Sequence, residues 1–314
     1  MTIEVSRYTP DDAHKWNAFC SQSANATFLH NRNYMDYHSD RFTDHSLMFF
    51  DGKENLVAVL PASEHEKHKE IKSHGGLTYG GLIVKPKLGQ ELVLSIFDQI
   101  KSHYKQAGFK TLVYKPVPHI YHRHLVEDDI YALFRNNAIC TRVDCSTTIT
   151  LETPLPVSSL RKRMAKKATK QGCHVVESYD FEAYFKILAS RLEEKYDAQP
   201  VHTPNEMRNL QAKFPENIKL FAAFKGEQML AGTVVYDCGK CVHTQYLASS
   251  DEGLECGALD MALLETIKTY RNRTYFDFGI SNENDGKYLN TGLKKQKEMF
   301  GGQTVVYQLY QLNL

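Results

Sequence analysis

The same order of predicted elements occurs twice in this chain, and this repetition is the strongest constraint on its fold. In each half, an apolar run, a polar turn containing glycine and a second apolar run predict a β-hairpin. An amphipathic helix and a short apolar strand follow each hairpin, which predicts two similar α/β modules. The predicted hairpin, helix and strand occupy about 47–60, 91–107 and 111–114 in the first half, and about 220–235, 257–270 and 275–278 in the second.

The length of the chain agrees with two modules. Each half of the 314 residues has an ordinary domain size and can bury its own core. The clearest break in regular structure lies at 151–156, because Pro154 and Pro156 interrupt it. We therefore expect an N-terminal module over residues 1–153 and a C-terminal module over residues 154–314.

Composition excludes several functional classes. Hydrophobic residues make up 42% and charged residues 24%, as in ordinary globular proteins. The formal net charge of +1 gives no global field that would favour DNA or a membrane surface. No apolar run approaches the ~18–20 residues of a membrane span, and no early segment resembles a signal peptide. We therefore expect a cytoplasmic protein without a transmembrane segment.

The cysteines and histidines do not form a metal-binding pattern. Cys238 and Cys241 have CxxC spacing, but they lie at the turn of a predicted hairpin, without a second CxxC or a nearby histidine pair. The group of His119, His122 and His124 lacks a carboxylate or cysteine at matched spacing. We therefore expect reduced cysteines and no bound metal.

A strongly basic helix is predicted directly after the proline-containing break. Apolar residues recur at helical spacing between 160 and 172, and six basic residues cover much of the remaining surface. Such a helix could hold the phosphates of a nucleotide, of CoA or of a lipid-linked carrier, or it could be a solvated charged face. Arg161 and Arg163 are its candidate substrate-binding residues.

In this order the elements resemble the FemABX-like branch of the GNAT acyltransferase superfamily, whose members carry two tandem GNAT folds. The resemblance rests on the basic helix 160–172, the segment 220–247 and the closing block 276–302, together with 27–30 and 75–81. It implies an α/β (α+β) fold of two tandem GNAT-like modules. Each would be a mixed, mostly antiparallel sheet flanked by helices, with a cleft between the modules.

The resemblance also implies an acyltransferase. The favoured reaction is N-acyl or N-acetyl transfer from an acyl-CoA donor, such as acetyl-CoA, to an amino group of a sugar or cell-envelope precursor. The acceptor would be a small molecule or be linked to a lipid or nucleotide. An aminoacyl-tRNA-dependent transferase of the peptidoglycan type is one alternative, and a protein that binds a glycan or peptide carrier without turnover is another. The chain lacks the long helical arm of the larger tRNA-using relatives, which favours acyl-CoA.

One segment departs from the family pattern. The pyrophosphate loop of simple GNAT enzymes is a basic, glycine-rich turn that opens a helix, whereas the matching segment 250–258 is acidic. Carboxylates repel a diphosphate, although the N–H groups of a helix start attract one. The resemblance still implies that the donor lies along the strand 243–248 and the helix start 253–258. The implied donor contacts are Tyr246, Leu247, Ala248, Gly253, Leu254, Gly257 and Ala258.

Two polar residues in predicted strands are the main catalytic candidates. Asp277 interrupts the aromatic run 275–278, where a carboxylate is costly unless it has a partner or a task. Histidine as a residue type has an unperturbed pKa near ~6.5. His243 could act as a base, or it could be structural. We predict Asp277 as a base or orienter near the acceptor amine, with Tyr288 closing over it. Three following lysines could donate to a leaving group or be ordinary surface residues: Lys294, Lys295 and Lys297.

Acceptor contacts are expected mainly from the first module. The stretch 73–81 has four glycines in nine residues, and glycine lets a backbone approach a ligand closely. A tight connection between strands is the alternative. The resemblance implies acceptor binding through this stretch, with His74 and Tyr79, and through His30. Ser281 is a further candidate substrate-binding residue in the second module.

Overall fold

The structure is a computed structural model that describes residues 3–314, with strands β1–β16 and helices α1–α10 numbered in chain order. The first elements are β1 Ile3–Arg7, α1 Ala13–Gln22, α2 Arg32–Met35, β2 Leu47–Asp51, β3 Leu56–Leu60, β4 Ser63–His65, β5 Glu70–Lys72, β6 Ile83–Val84, α3 Gln90–Gln106, β7 Thr111–Tyr114, α4 Asp128–Arg135 and β8 Ile139–Thr150. The remaining elements are α5 Ser159–Lys170, β9 Cys173–Ser178, α6 Phe181–Tyr196, α7 Pro204–Lys213, β10 Ile218–Lys225, β11 Gln228–Asp237, β12 Cys241–Ser249, α8 Asp251–Cys256, α9 Ala258–Thr269, β13 Tyr275–Ile280, β14 Asn282–Glu283, β15 Tyr288–Leu289, α10 Thr291–Glu298 and β16 Gln303–Asn313.

The described chain divides into two compact units. Unit 1 contains the residues up to Asp144 together with 284–287 and 306–314, and unit 2 contains 145–283 and 288–305. These units differ from the predicted modules 1–153 and 154–314 at two points. The division falls within β8 rather than at the prolines, and the last residues of the chain belong to unit 1 because the end of β16 pairs with β7 there.

Unit 1 contains two sets of paired strands. The strands β1, β2, β3 and β6 pair in that order, all antiparallel. In the second set, β4 pairs with β5, β5 with β7 in parallel, and β7 with β16. The amphipathic helix α3 buries one face, including Ile96, Phe97 and Ile100, in the core that these strands share with α4.

Unit 2 contains the sheet that positions the candidate site. Its strands have the order β8, β13, β12, β11, β10 and β9. All neighbouring pairs are antiparallel except β12 and β13, which are parallel. Helix α9 packs on this sheet and α5 packs on α9, while α6 packs against β11 and β12. The core between α9 and the sheet is apolar, with Val235, Leu263 and Phe276 fully or almost fully buried.

The repeated order predicted from the sequence is confirmed. The hairpin β2–β3 is followed by α3 and β7, and the hairpin β10–β11 is followed by α9 and β13. Each observed helix begins and ends within one residue of the predicted range. The prediction succeeded because apolar periodicity and glycine-containing turns agree at each of these elements.

Candidate active site

A buried pair of side chains on neighbouring parallel strands forms the centre of the candidate site. His243 of β12 and Asp277 of β13 face each other in register, and Nδ1 of the imidazole lies 2.8 Å from a carboxylate oxygen of Asp277. Asp277 is fully buried, whereas 12% of the His243 side chain is exposed. The carboxylate is therefore held in the interior, whereas a small part of the imidazole remains accessible to solvent.

The hydrogen bonds to Asp277 keep it ionised. Hydroxyl groups of Ser146 and Thr148 on β8 donate to one carboxylate oxygen at 2.5 and 2.7 Å, and the N–H of Gly279 donates to the other at 3.2 Å. Burial alone would raise the pKa of Asp277, but the hydrogen bond and charge of His243 and the two hydroxyls hold it at about 2. A carboxylate with this pKa is a weak base, so the geometry favours the predicted role of orienter.

The orientation of His243 follows from this partner. Because ionised Asp277 only accepts hydrogen bonds, Nδ1 of a neutral His243 must carry the proton, and Nε2 then carries the lone pair. Gly279 leaves room for the ring, since a Cβ atom at this position would lie 3.1 Å from Cε1 of His243. The arrangement therefore prepares Nε2 to accept a proton.

The two strands separate immediately beyond this pair. Register pairing of β12 with β13 ends at His243 and Asp277, although β12 continues to Ser249 and β13 to Ile280. A β-bulge at Gln245 lies just past the separation, because the partners on β11 shift there by one residue. This bulge interrupts the simple alternation of a regular strand. The edge of β12 beyond His243 is therefore not taken up by β13.

Helix α10 brings two lysines into the interior of unit 2. Lys294 and Lys297 are 6% and 5% exposed, and Nζ of Lys297 donates to the carbonyls of Gly279 and Ile280 at 2.9 and 2.7 Å. Burial lowers the pKa of Lys297 to about 8, and Lys294 adds to this effect, while Asp277 opposes it. From the sequence, both lysines could be leaving-group donors or ordinary surface residues. Their spacing of three residues, which places them on one face of a helix, is the signal that the sequence offers.

The predicted donor-binding residues lie in different environments. The hydroxyl of Tyr246 is 2.6 Å from Nδ1 of His202, Leu247 packs against the core, and Ala248 is buried. The predicted helix start at 253–258 is in fact the junction of two helices. Ser250 caps α8 and accepts a hydrogen bond from Gly253, so Gly253 and Leu254 lie inside α8. Gly257 ends α8 and caps α9, whose first residue, Ala258, is fully buried.

The carboxylates of this junction are compensated by cations. Asp251 lies 2.7 Å from Arg191, and Glu252 lies 2.7 Å from Lys225. Nζ of Lys167 on α5 donates to the carbonyl of Glu255 at 2.7 Å. The local charge is therefore less negative than the sequence of the segment indicates, which weakens the electrostatic argument against a diphosphate there.

We expect that Gly257→Ala destabilises unit 2 by several kcal/mol, which is more than replacing a glycine that has no close neighbour would cost. Gly257 has φ +87°, and a Cβ atom there would lie 2.4 Å from the carbonyl oxygen of Met164. Gly226→Ala is the matched control, because Gly226 also has positive φ but no neighbour within 4 Å, so about 1 kcal/mol is expected. Urea unfolding of both variants gives the comparison. Equal losses would contradict the proposed clash.

Helix α5 has basic residues that contact other helices of unit 2 and several that face solvent. Arg161 lies 3.0 Å from the carboxylate of Asp260 at the start of α9, so this candidate substrate-binding residue is engaged within unit 2. Arg163, the other candidate, is exposed. It belongs to an exposed cationic face whose further members are Lys162, Lys166 and Lys170.

The acceptor residues predicted in unit 1, His30, His74 and Tyr79, are all buried. The rings of His30 and Tyr79 are 5.9 Å apart, and His74 stacks on His38 at 5.2 Å. Burial lowers the pKa of His30 to about 4, against the opposing effect of its backbone hydrogen bonds, so it is neutral at pH 7. The glycines of the loop fit close approach of the chain to itself, because a Cβ at Gly80 would lie 2.0 Å from the carbonyl oxygen of Ser73.

Ser281 and Tyr288 lie on either side of the β14–β15 turn. Ser281 is buried, its N–H donates to the carbonyl of Cys145 at 2.9 Å, and its hydroxyl has no hydrogen-bond partner within residues 3–314. Tyr288 is 54% exposed and pairs in register with Glu283. The contacts described for Asp277 come from His243, Gly279 and β8, rather than from Tyr288.

No metal site or membrane span is found in the described part of the chain. Across residues 3–314, histidine, cysteine, aspartate and glutamate form no group of three that could hold a metal ion. Within the same range, each helix is too short or too polar to cross a membrane.

Comparisons with known proteins identify the fold. Residues 158–288 match the family model described as an acetyltransferase (GNAT) domain. FemX is similar in structure, with a TM-score of 0.67 at 13% identity, over 99% of this chain and 97% of that chain. L-PGS from Bacillus licheniformis has a TM-score of 0.64 at 10% identity, over 98% of this chain and 92% of that chain. A tandem GNAT protein from the clavulanic acid biosynthesis pathway has a TM-score of 0.55 at 10% identity, over 99% of this chain and 98% of that chain. No curated protein sequence matches the chain.

These likenesses confirm the predicted fold class of two tandem GNAT-like folds and the predicted resemblance. The GNAT match covers β12, α9 and β13, which hold the His243–Asp277 pair and the junction at Gly257. The acetyltransferase domain match over residues 158–288 supports the predicted acyltransferase in general terms. The chain therefore has a tandem GNAT fold similar to that of FemX, and its residues 158–288 match the acetyltransferase (GNAT) domain family.

Proposed function

We propose that this protein transfers an acyl group from an acyl-CoA, such as acetyl-CoA, to an amino group of a sugar or cell-envelope precursor. The observation that supports this most directly is the separation of β12 from β13 immediately after the His243–Asp277 pair. An edge of β12 that β13 does not occupy can pair with an extended donor arm. The imidazole at the point of separation then lies beside the reacting carbonyl.

In this mechanism His243 is the general base. The amine nitrogen attacks the carbonyl carbon of the thioester, a C–N bond forms, and the amine proton passes to Nε2 of His243. Asp277 stays ionised and stabilises the imidazolium that results. The C–S bond then breaks, and the electron pair leaves with the sulfur of CoA.

Lys297 is our proposed source of positive charge for the leaving group. Its ammonium is held by two backbone carbonyls, which leaves one N–H of the three for another acceptor. Its pKa of about 8 is close to the ~8.5 of a thiol, so it can return a proton to the departing thiolate near neutral pH.

The donor can be tested by thermal stability and by turnover. The purified protein is incubated with acetyl-CoA, longer acyl-CoAs or free CoA, and its unfolding temperature is measured at rising ligand concentration. A bound donor stabilises the folded state in proportion to the logarithm of its excess over Kd. Release of the CoA thiol is then followed with and without amino sugars. Absence of both stabilisation and amine-dependent thiol release would exclude acyl-CoA as the donor.

A second candidate donor, aminoacyl-tRNA, is supported by the cationic face of α5. Four exposed basic side chains on one helix match the phosphates of a nucleic acid: Lys162, Arg163, Lys166 and Lys170. Under this alternative the leaving group is a ribose hydroxyl, and the role of His243 is unchanged. Mass spectrometry of the purified protein distinguishes the donors, because retained aminoacyl-tRNA without any CoA species would favour this candidate.

We expect that Lys297→Met lowers the transfer rate by about 10–10³-fold, because it removes the charge assigned to the leaving group. The same substitution should alter the pH dependence of stability. The pKa of Lys297 is depressed from 10.5 to about 8, so wild-type stability should gain about 3 kcal/mol between pH 8 and pH 10.5 as the buried charge is lost. The difference between wild type and variant, measured by urea unfolding, should show this rise.

Lys295→Met is the control for Lys297, because Lys295 is exposed on the same helix. It should leave the rate and the pH profile unchanged. If Lys297→Met keeps full activity but lacks the gain in stability at high pH, the role of this lysine is purely structural.

A further inference from the structure

A cavity of about 340 Å³ lies in unit 2 away from the His243–Asp277 pair. It is lined by residues at the end of β11, the start of β10, the end of α9 and the loop that precedes β13. The strands β12 and β13 separate toward their C-terminal ends, beyond His243 and Asp277, whereas this cavity lies at their N-terminal ends, beside Asp237 and Arg273. It is therefore distinct from the proposed acyl-transfer site.

A buried hydroxyl in the wall of this cavity has no hydrogen-bond partner. Tyr270 is 7% exposed, and its ring packs edge-on against Phe221 with a centroid distance of 5.9 Å. Within residues 3–314 its hydroxyl oxygen has no protein partner. Burial raises the pKa of Tyr270, and the nearby carboxylates of Asp237, Glu177 and Glu216 add to the rise, so the hydroxyl stays neutral. Because a buried hydroxyl is costly without a partner, this one points to a polar ligand group.

The electrostatic environment of the cavity favours a cation. Two of its three carboxylates are engaged, since Asp237 is bound by Arg273 at 2.6 Å and Glu177 lies 3.4 Å from Lys219. Glu216 is exposed at the rim and leaves the lining with a net negative charge. The C-terminal end of α9 adds partial negative charge, because its last residue, Thr269, and its cap, Tyr270, line the cavity.

We propose that this cavity binds a small organic ammonium ion that also carries a hydroxyl group. Glu216 and the end of α9 attract the ammonium, and the hydroxyl of Tyr270 pairs with the hydroxyl of the ligand. The aromatic faces of Tyr270 and Phe221 contact its carbon atoms and add a cation–π attraction. An anionic ligand would meet the net negative lining, so the charge of the cavity selects against it.

Isothermal titration of the full chain with ethanolamine and with choline tests this proposal directly. Ethylene glycol is the neutral comparison, because it keeps the hydroxyl but lacks the charge. We expect saturable binding of at least one ammonium compound and no saturable binding of ethylene glycol. Glu216→Gln and Tyr270→Phe should each weaken binding by about three- to tenfold, the scale of one hydrogen bond or one exposed charge.

Glu227→Gln is the matched control, because Glu227 is an exposed carboxylate at the β10–β11 turn outside the cavity lining. It should bind the ammonium compounds as the wild type does. Failure of both compounds to bind would overturn the proposal, as would equal binding of ethylene glycol or affinity that neither cavity substitution changes. The measurement needs no turnover, so its result is independent of the proposed acyl transfer.

Discussion

Replacing His243 by glutamine should lower the rate of acyl transfer by about 10²–10⁴-fold, the usual effect of losing a general base. Glutamine can still donate a hydrogen bond to Asp277, but no atom of its amide accepts a proton at neutral pH. The initial rate of CoA thiol release, with donor and amine present, gives the comparison.

His174→Gln is the matched control for this experiment. His174 is an exposed histidine on β9 of the same sheet, paired in register with Phe224. Its replacement should leave the rate and its pH profile unchanged. If His243→Gln is folded and keeps the wild-type rate, His243 is not the base and the proposed mechanism is wrong.

Replacing Asp277 by asparagine should reduce both turnover and stability. The amide has no charge to stabilise an imidazolium, and an amide N–H turned toward His243 would make Nδ1 the acceptor and place the ring proton on Nε2. The lone pair that accepts the substrate proton is then absent. We expect a loss of about 10²–10⁴-fold in transfer rate.

The stability effect of Asp277→Asn should itself depend on pH. The pKa of Asp277 is depressed from 3.8 to about 2, so its ionised form contributes about 2 kcal/mol to the wild type at pH values above about 4. This contribution is lost as the pH falls from about 4 through about 2. Urea unfolding should therefore show a difference between wild type and variant at pH 7 that shrinks in acid. A difference that is constant from pH 7 to pH 2 would contradict the depressed pKa.

The sequence predicted the centre of this site from one conspicuous residue. Asp277 stands in an aromatic strand, and buried carboxylates need partners, so a role there could be inferred before any geometry was known. His243 was identified separately by its chemistry. Their contact depends on the parallel pairing of two strands 34 residues apart, which local patterns cannot specify.

Other parts of the site gave weaker signals. Ser146 and Thr148 are two apart in a strand and therefore share a face, but many surface strands carry hydroxyls in this pattern. Lys297 lies in a run of charged residues, so its burial depends on how α10 packs. The junction of α8 and α9 was predicted as one helix start, because the sequence pattern around Gly257 does not show that one helix ends there and another begins. These features depend on tertiary packing.

The hydroxyls that hold Asp277 have a consequence for how such a protein can be dissected. They come from β8, which precedes the proline-containing break, and Lys297 lies beyond the stretch 158–288 that matches the GNAT family model. A fragment that begins at residue 154 would keep both His243 and Asp277 but would expose the β13 edge and strip the carboxylate of its hydroxyl donors. The stretch that matches the family model is therefore shorter than the shortest fragment that could keep the proposed chemistry. Recombination at the proline-containing break would separate His243 and Asp277 from the hydroxyl groups that hold the carboxylate.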